Sequence, residues 1–521
     1  MFFKNLIIGL ACLIVSAFAS YWLATEDYTS LILIGMGCFV MITVLVPGYS
    51  FLFAFGLLCP FIFPLPFVFA FPTIAVALGL IAFKYISRRS LSASKTAPHF
   101  SVLTAPILIF FGMVLFQYCL HPVLPGLALG LNNDVSGFRS YAIYGIIFSM
   151  LFLMGYIFVT REGLIKVIHA MAIISLFFIV LLMPLMFTKS LMIAQILSQF
   201  GVFVTAFDTG IFRFVALPGF GLILLTLGFL PHLISLTKGW RVAMILLGIG
   251  AVILGGSRSS FTMALIIIIV IPLVKKRFFQ FAAVTAAAVL FLVTIHFITE
   301  NSKFNQVGFL RIFSLTSSRL AQSSDAEGNQ EWRMVRWTRA WEEIKQHPFT
   351  GRGYGGLQNI LFLGRNLQQQ TEEDSIEIAL ATGGVHNGYL ASALALGVPF
   401  TLLFIFIFIS QLKFNLSEAY RHLDTDPQLS EFHAFVFVSL FAFAIAFYVG
   451  ADVSDPTMWF YVGIGILTGR IKQAELLQQR LAPHEMAIKE SNRPSNGSIG
   501  DPITQNPVLS GHAFVTHKIA S

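Results

Sequence analysis

The chain has 521 residues, of which 56% are hydrophobic and 11% are charged, and its mean hydropathy is +0.80. This composition excludes an ordinary soluble globular domain, and several apolar runs are long enough to cross a bilayer. The net charge of +8 does not indicate nucleic-acid binding, because Lys and Arg occur as short clusters between apolar runs, which is how membrane topology is encoded. The sequence therefore predicts an all-α, polytopic integral membrane protein.

The N-terminus and the cysteines add little chemistry. "MFFK", an apolar stretch and "AFAS" together resemble a secretory signal, but in a chain full of spans they favour a retained first helix. The four cysteines lie within or at the edge of apolar segments without metal-ligand spacing. We therefore expect neither a disulfide framework nor a zinc site.

The positive clusters mark the predicted cytoplasmic turns, which are Lys4, 84–89, 161–166, 237–241, 275–277, 411–432 and 469–472. The spans predicted between them are 5–23, 31–46, 50–65, 67–84, 101–120, 140–159, 164–187, 213–235, 241–256, 259–274, 278–298, 387–410, 433–450 and 457–470. The total is fourteen spans, or twelve if the proline-rich pair at 50–84 is broken or re-entrant. Both totals place the two termini in the cytoplasm.

The predicted organisation has four parts: transmembrane helices in 1–298, a large periplasmic loop in 299–386, transmembrane helices in 387–470, and a partly disordered cytoplasmic tail in 471–521. A loop this long is usually functional or has structure of its own. Helical spacing of Met334, Trp337, Trp341 and Ile344 predicts an amphipathic helix over 331–346 that lies on the outer surface.

We expect Trp337 and Trp341 to be buried against the spans, because their apolar area is large. Pro348 and four glycines in "HPFTGRGYGG" (347–356) make a continuation of this helix improbable.

Three ionisable residues are predicted to share the outer face. Arg213 opens a span, Arg258 lies at the hairpin tip "GGSRSS" (255–260), and His386 begins the span after the loop. Taken singly, Arg213 could snorkel to lipid headgroups, and His386 could be a helix-start residue bonded to a backbone carbonyl. Three such residues on one face favour a functional site, and we expect them to converge on one cavity.

The residue types indicate the chemistry of such a site. Two arginine forks match the oxygens of a pyrophosphate, and a histidine can accept a proton from a sugar hydroxyl near neutral pH. Together they predict glycosyl transfer from a lipid-linked donor. Carboxylates for a metal-assisted route are poorly placed, since "DTD" (424–426) reads as a cytoplasmic turn and "TEEDSIE" (371–377) as a solvated face.

The chain resembles the O-antigen ligase and O-antigen polymerase superfamily of bacterial membrane glycosyltransferases. The resemblance covers about 205–410 and rests on "RFVALPGFG", "GGSRSS", "HPFTGRGYGG" and "HNGYLASALALG", in that order. It implies a multi-span helical fold, an undecaprenyl-pyrophosphate-linked glycan donor, inversion at the anomeric carbon, and no metal or other cofactor.

The resemblance also implies roles for individual residues. Arg213 and Arg258 match the phosphate-binding arginines, His386 matches the catalytic histidine, and Arg333 matches an arginine of the loop helix. Arg352 departs from the family, which commonly has an apolar residue there, and could bind an acidic glycan. Asn387, beside His386, is a further candidate of the loop.

The acceptor stays open at this point. If the acceptor is the lipid A core, the protein is a ligase. We place this alternative first because of the large single loop. A second lipid-linked repeat makes it an O-antigen or exopolysaccharide polymerase, and a Ser or Thr makes it a protein O-oligosaccharyltransferase. A polysaccharide transporter or flippase should show charged or broken helices near the midplane and internal repeats, whereas here the ionisable residues cluster at one face and no repeat is seen. The expected location is the bacterial inner membrane, with the site facing the periplasm.

Overall fold

The computed structural model describes residues 102–122, 138–157, 161–187, 204–206, 212–214, 216–234, 236–301, 326–354, 376–377, 380, 385–449, 455 and 457–473. The predicted spans before residue 101 and most of the predicted tail lie outside these ranges.

Helices dominate these described ranges, which confirms the predicted all-α class. In chain order they are α1 (Ala105–Leu120), α2 (Phe138–Ile157), α3 (Arg161–Leu185), α4 (Leu217–Gly228), α5 (Lys238–Leu254), α6 (Arg258–Val274), α7 (Phe278–Asn301), α8 (Ala326–Gln346), α9 (Gly388–Leu396), α10 (Val398–Arg421), α11 (Pro427–Val449) and α12 (457–473). One antiparallel pair, β1 (Val204–Ala206) and β2 (Phe212–Phe214), precedes α4.

The bundle has the surface of a membrane protein. Among the described helices α3, α10 and the stretch Pro427–Tyr448 of α11 are long and apolar enough to cross a bilayer, and five shorter apolar helices accompany them. Large apolar side chains point outward along the helices, for example Phe116, Phe177, Leu290 and Phe406. So much exposed apolar surface suits lipid and would be unfavourable in water. The chain is a polytopic membrane protein.

Helix α4 differs from its prediction. The span was expected to begin at Arg213 and run to 235, but Arg213 lies in β2 opposite Thr205, and the helix begins at Leu217. Pro218 in the first turn suits a helix start, because its missing N–H would have no partner within the helix there. The helix ends at Gly228, three residues before Pro231.

Small residues let α4 and α5 approach closely. A Cβ on Gly221 would lie 2.7 Å from the carbonyl oxygen of Gly248, and one on Gly228 would lie 2.7 Å from Cγ1 of Ile245. Close approach at small residues is typical of helices that associate in lipid. The hydrophobic effect does not drive their association there, so close packing has to hold them together. The short helix α4 is consequently buried along nearly its whole length.

The two ends of the bundle are built differently. We call the end with the α5–α6 turn, Gly397 and the last turn of α11 the loop end, and the end with Lys275 and the turn 422–426 the basic end. At the basic end Glu431, 5% exposed, accepts hydrogen bonds from Lys275 Nζ at 2.7 Å and from the Leu233 N–H at 3.2 Å. His232 Nδ1 lies 2.9 Å from the same carboxylate. One buried carboxylate thus joins α11, the α4–α5 connection and the end of α6.

The predicted turn at "DTD" is confirmed. Residues 422–425 form a turn, and Asp426 makes two bonds of 2.6 Å to the guanidinium of Arg161. A carboxylate oxygen of Asp426 also accepts from the Leu429 N–H at 3.1 Å, in the first turn of α11. Asp426 is therefore structural, since it ties α11 to the start of α3.

Replacing Glu431 by Ala should destabilise the bundle, because it leaves the Lys275 ammonium, whose side chain is 10% exposed, without its buried counter-charge. Breaking one partner of a buried pair costs about 3–5 kcal/mol. We expect a clear loss of thermal stability for the purified protein in detergent.

The matched control is Glu162→Ala, which removes an ion pair of the same 2.7 Å length to Lys166, but between exposed side chains of one helix. It should leave the unfolding temperature nearly unchanged, because exposed pairs contribute little. Equal unfolding temperatures for the two variants would show that Glu431 does not hold the basic end together.

Candidate functional site

The predicted span 387–410 is broken in the structure. Helix α9 ends at Leu396, α10 begins at Val398, and Gly397 between them has φ +91°. Only glycine adopts this backbone conformation readily. Pro399 in the first turn of α10 then starts a new helix, so the prediction of one continuous helix is wrong at this point.

A segment of the large loop fills the break. The Val398 N–H donates to the Pro348 carbonyl at 2.8 Å. In return the N–H groups of Arg352 and Gly353 donate to the carbonyls of Leu394 and Ala395, at 2.7 and 2.9 Å. These bonds satisfy carbonyl groups that the end of α9 would otherwise leave without partners. The absence of helix predicted for "HPFTGRGYGG" is confirmed for residues 347–354.

The glycines of this segment are required by space and by backbone angle. Gly351 has φ +62°, and a Cβ there would lie 2.6 Å from the Gly397 nitrogen. Gly353 has φ +76°, and a Cβ there would lie 2.6 Å from Cβ of His121. The loop segment therefore lies closer to the broken helix, and to the end of α1, than a side chain at either glycine would allow.

Tyr354 anchors the segment to α2. Its ring is buried and packs edge-on against Tyr141 with centroids 5.3 Å apart. Its hydroxyl lies 3.1 Å from the hydroxyl of Tyr144, and its N–H donates to the hydroxyl of Tyr141 at 3.3 Å. The loop is thereby fastened to two separate parts of the bundle.

Helix α8 confirms the helix predicted over 331–346. The indole of Trp337 donates to the Val385 carbonyl at 2.9 Å and packs edge-on against Tyr448, 5.5 Å away. Ala340 and Ile344 are buried on the same side. Trp341, however, is 52% exposed, so its predicted burial is wrong. The buried stripe runs along 336, 337, 340 and 344, and Trp341 lies beyond its edge.

His386 lies next to this docking point. Its φ is +56°, a left-handed conformation that is uncommon for a residue with a side chain. Val385 before it is held by Trp337, and Asn387 after it is buried. A strained conformation that its neighbours enforce is a reason to suspect function. The imidazole lies 6.5 Å from the ring of Trp332 between centroids.

Asn387 has a structural task. Its side-chain oxygen accepts from the N–H groups of Tyr389 and Leu390 at 3.1 and 3.2 Å, which makes it the N-cap of α9. Such a cap typically contributes about 1 kcal/mol to a helix. Asn387 therefore ends the strained turn by starting a helix.

The charges around His386 come from α8. Although part of the ring reaches solvent, burial of the rest lowers the pKa of the imidazole below its ordinary value, and the positive charges of Arg333 and Arg336 lower it further. The ring is consequently neutral at neutral pH and able to accept a proton.

Arg336 was missed by the sequence reasoning, which singled out Arg333. It is 5% exposed, and its guanidinium lies over the indole of Trp332. Burial and the neighbouring charge of Arg333 lower the pKa of Arg336 to about 10, so it stays charged. The available signal was the four-residue spacing from Trp332, which brings an indole and a guanidinium together on one helix face.

Arg352 lies among acids of the loop itself. Its guanidinium is 3.2 Å from Glu377 and 3.8 Å from Glu343. Glu377 belongs to the segment "TEEDSIE", of which residues 376 and 377 are described. An acidic glycan would have to compete with two carboxylates, so this arrangement does not favour the glycan contact expected for Arg352.

Arg258 lies where the sequence predicts it, at the tip between α5 and α6. Gly256 turns the chain with φ +62°, and Ser257 is the N-cap of α6, accepting from the Ser260 N–H at 3.4 Å. Arg258 is the first residue of that helix. The helix N-terminus adds partial positive charge to that of the guanidinium, which favours an anion nearby.

A cavity of about 220 Å³ opens beside this tip. Its polar lining consists of hydroxyl groups and one carboxylate, and its apolar lining comes from α4, α6 and α11. The polar residues are Thr226, Ser260, Ser439, Asp455, Thr457 and Tyr461. Polar groups placed on apolar walls are typical of ligand sites.

Part of the chain is similar to a known protein family. Residues 243–405 match the family model for O-antigen ligase. The likeness is confined to residues 243–405, which we call the ligase-like region. The matched region runs from α5 through the loop helix to the first turns of α10, and it contains Arg258, Arg333, Arg352 and His386. A search of curated proteins finds no match to the chain.

Within the ligase-like region, the described residues bring His386 together with Arg333, Arg336 and Trp332. Arg258 lies at the loop end as well. Arg213 lies in β2, before the matched region, and its side chain is outside the described part of the chain. The expected convergence of Arg213, Arg258 and His386 on one cavity stays a prediction.

Gly397→Ala should separate the loop from the broken helix, because a side chain at φ +91° is strained and its Cβ would collide with the Phe349 carbonyl. We expect a lower unfolding temperature and faster proteolytic cleavage within residues 347–354, both measured on the purified protein in detergent. Gly239→Ala is the control, since a Cβ there meets nothing within 4 Å. Equal protease resistance of the two variants would contradict the role given to the break.

Proposed function

We propose that the ligase-like region transfers a glycan from an undecaprenyl-pyrophosphate-linked donor to a hydroxyl group of an acceptor. The similarity to the O-antigen ligase family supports a membrane glycosyltransferase of the ligase and polymerase type. The observation that carries the proposal is His386, which is held in a left-handed turn beside Arg333 with a neutral, accessible imidazole.

In the proposed reaction His386 accepts the proton of the acceptor hydroxyl. The acceptor oxygen attacks the anomeric carbon of the donor sugar, a new C–O bond forms, and the bond to the pyrophosphate breaks with inversion. The electron pair leaves with the pyrophosphate. A base whose pKa lies close to the working pH suits this step, because it is neutral before transfer and still basic enough to take the proton.

Arginines are proposed to hold the departing pyrophosphate. Arg258 and Arg213 would bind it in a bidentate manner, and Arg333 would add charge from the loop. The position of Arg258 beside the N-terminus of α6 and the cavity supports this assignment. Guanidinium groups supply positive charge to a developing anion in the way that metal ions do elsewhere, so we propose that transfer is metal-independent and continues with a chelator present.

The orientation of the bundle supports a site outside the cytoplasm. Lys275, Lys276 and Arg277 follow α6 at the basic end, whereas Arg258 begins the same helix at the loop end. Because positive residues favour the cytoplasmic side, the loop end with His386 would face the periplasm of a bacterial inner membrane. On that side a lipid-linked pyrophosphate is a natural energy source for transfer.

His386→Ala should abolish transfer while the protein still inserts and binds donor. Losing a positioned general base costs about 10²- to 10⁴-fold in rate. The measurement is turnover of a purified lipid-pyrophosphate-linked glycan in liposomes, together with retention of the radiolabelled donor. Near-normal turnover would remove His386 from the mechanism, and a strict requirement for a divalent ion would contradict the role given to the arginines.

The acceptor separates the ligase, which we propose first, from its alternatives. In a deletion strain of the source bacterium, a ligase defect should leave the lipid A core uncapped while lipid-linked polymer accumulates, as seen by gel analysis of cell-surface glycans. Single repeats on the core would instead indicate a polymerase, and intact surface glycan with unglycosylated proteins would indicate a protein O-oligosaccharyltransferase.

A further inference from the structure

A buried arginine beside His386 has no task in the reaction described above. Arg336 is 5% exposed, so it cannot reach a substrate as the half-buried Arg333 can. Burying a cation is costly unless its surroundings compensate. Here the guanidinium carbon lies over the indole ring of Trp332, one helical turn earlier, so the cation has an aromatic face as its neighbour.

The same indole connects Arg336 to the turn of His386. Its centroid lies 6.5 Å from that of the imidazole. Five residues further along α8, Trp337 donates to the carbonyl of Val385, the residue before His386. The charge of Arg336 therefore has a fixed position relative to the imidazole, because both belong to elements joined by this hydrogen bond.

We propose that Arg336, stacked on Trp332, is a positioning residue whose fixed positive charge keeps His386 neutral and ready to accept a proton. The inference rests on the proposed function, since it assumes that His386 is the base. It assigns separate tasks to the two arginines of the helix: Arg333 faces the substrate side, and Arg336 acts on the histidine from within the protein.

The sign of the effect follows from the groups that face His386. Among the described residues, α8 contributes Arg333 and Arg336 as charged neighbours, and α9 and α11 contribute the phenols Tyr389 and Tyr448 near the same turn. Removing the charge of Arg336 removes one cause of the lowered pKa of His386. More of the imidazole is then protonated at a given acidic pH, and less base is available.

The test compares pH profiles of kcat/KM for transfer in liposomes. Arg336→Met removes the charge but keeps an unbranched apolar stem in the buried site. Arg339→Met is the matched control, because it removes the same charge from the same helix at an exposed position that pairs with Glu342. Arg336→Lys retains the charge and loses the planar stack.

We expect the acidic limb of the Arg336→Met profile to move to higher pH, so that its rate relative to Arg339→Met falls by about threefold or more at the acidic end and recovers at alkaline pH. Arg336→Lys should keep the limb near its original position. A limb that stays in place in Arg336→Met would overturn the proposal, as would an equal shift in Arg339→Met or a full shift in Arg336→Lys.

The two hypotheses fail in different ways. If His386 is not the base, His386→Ala keeps its turnover and the limb does not depend on that residue. If His386 is the base and Arg336 only fills space, the limb depends on His386 but does not respond to Arg336→Met. Should Arg336→Met fail to fold, as shown by size-exclusion chromatography, Arg336→Gln takes its place as the variant without the charge, and an unshifted limb in Arg336→Gln would overturn the proposal.

Discussion

The helix break at Gly397 is the constraint on which the loop end depends. A helix that stops near the apolar part of a membrane leaves carbonyl groups without partners, and each one is costly where water is scarce. The N–H groups of Arg352 and Gly353 satisfy two of them, so the segment 347–354 has one place in which it can lie. Helix α8 ends where this segment begins, and its position is thereby determined as well.

The same constraint determines the surroundings of His386, one step after another. Once α8 is placed, Trp337 reaches the Val385 carbonyl, and the chain must turn before Asn387 caps α9. His386 occupies the turn with a left-handed backbone. The strain is offset by a hydrogen bond on one side and a helix cap on the other, which is how an uncommon conformation persists.

The two ends of the bundle meet different demands. At the basic end, the buried Glu431 and the partly exposed Asp426 bind cations with short bonds. At the loop end, Arg333 and Arg336 of α8 lie near His386 instead and help to lower the pKa of its imidazole. Positive charge that favours a departing pyrophosphate also prevents the histidine from binding a proton too early, so one electrostatic environment would serve both parts of the proposed reaction.

Local signals in the sequence determined the membrane class, the turn "GGSRSS", the loop helix and its end at Pro348, because hydropathy, periodicity and Gly or Pro act over a few residues. They also carried the likeness to the O-antigen ligase superfamily. The break at Gly397 was missed although Gly397 and Pro399 mark it, because the N–H groups that satisfy the carbonyls at the break lie more than forty residues earlier in the chain. The rotation of α8, which buries Arg336 and exposes Trp341, was likewise decided by what the helix packs against, and both tryptophans look equally apolar in sequence.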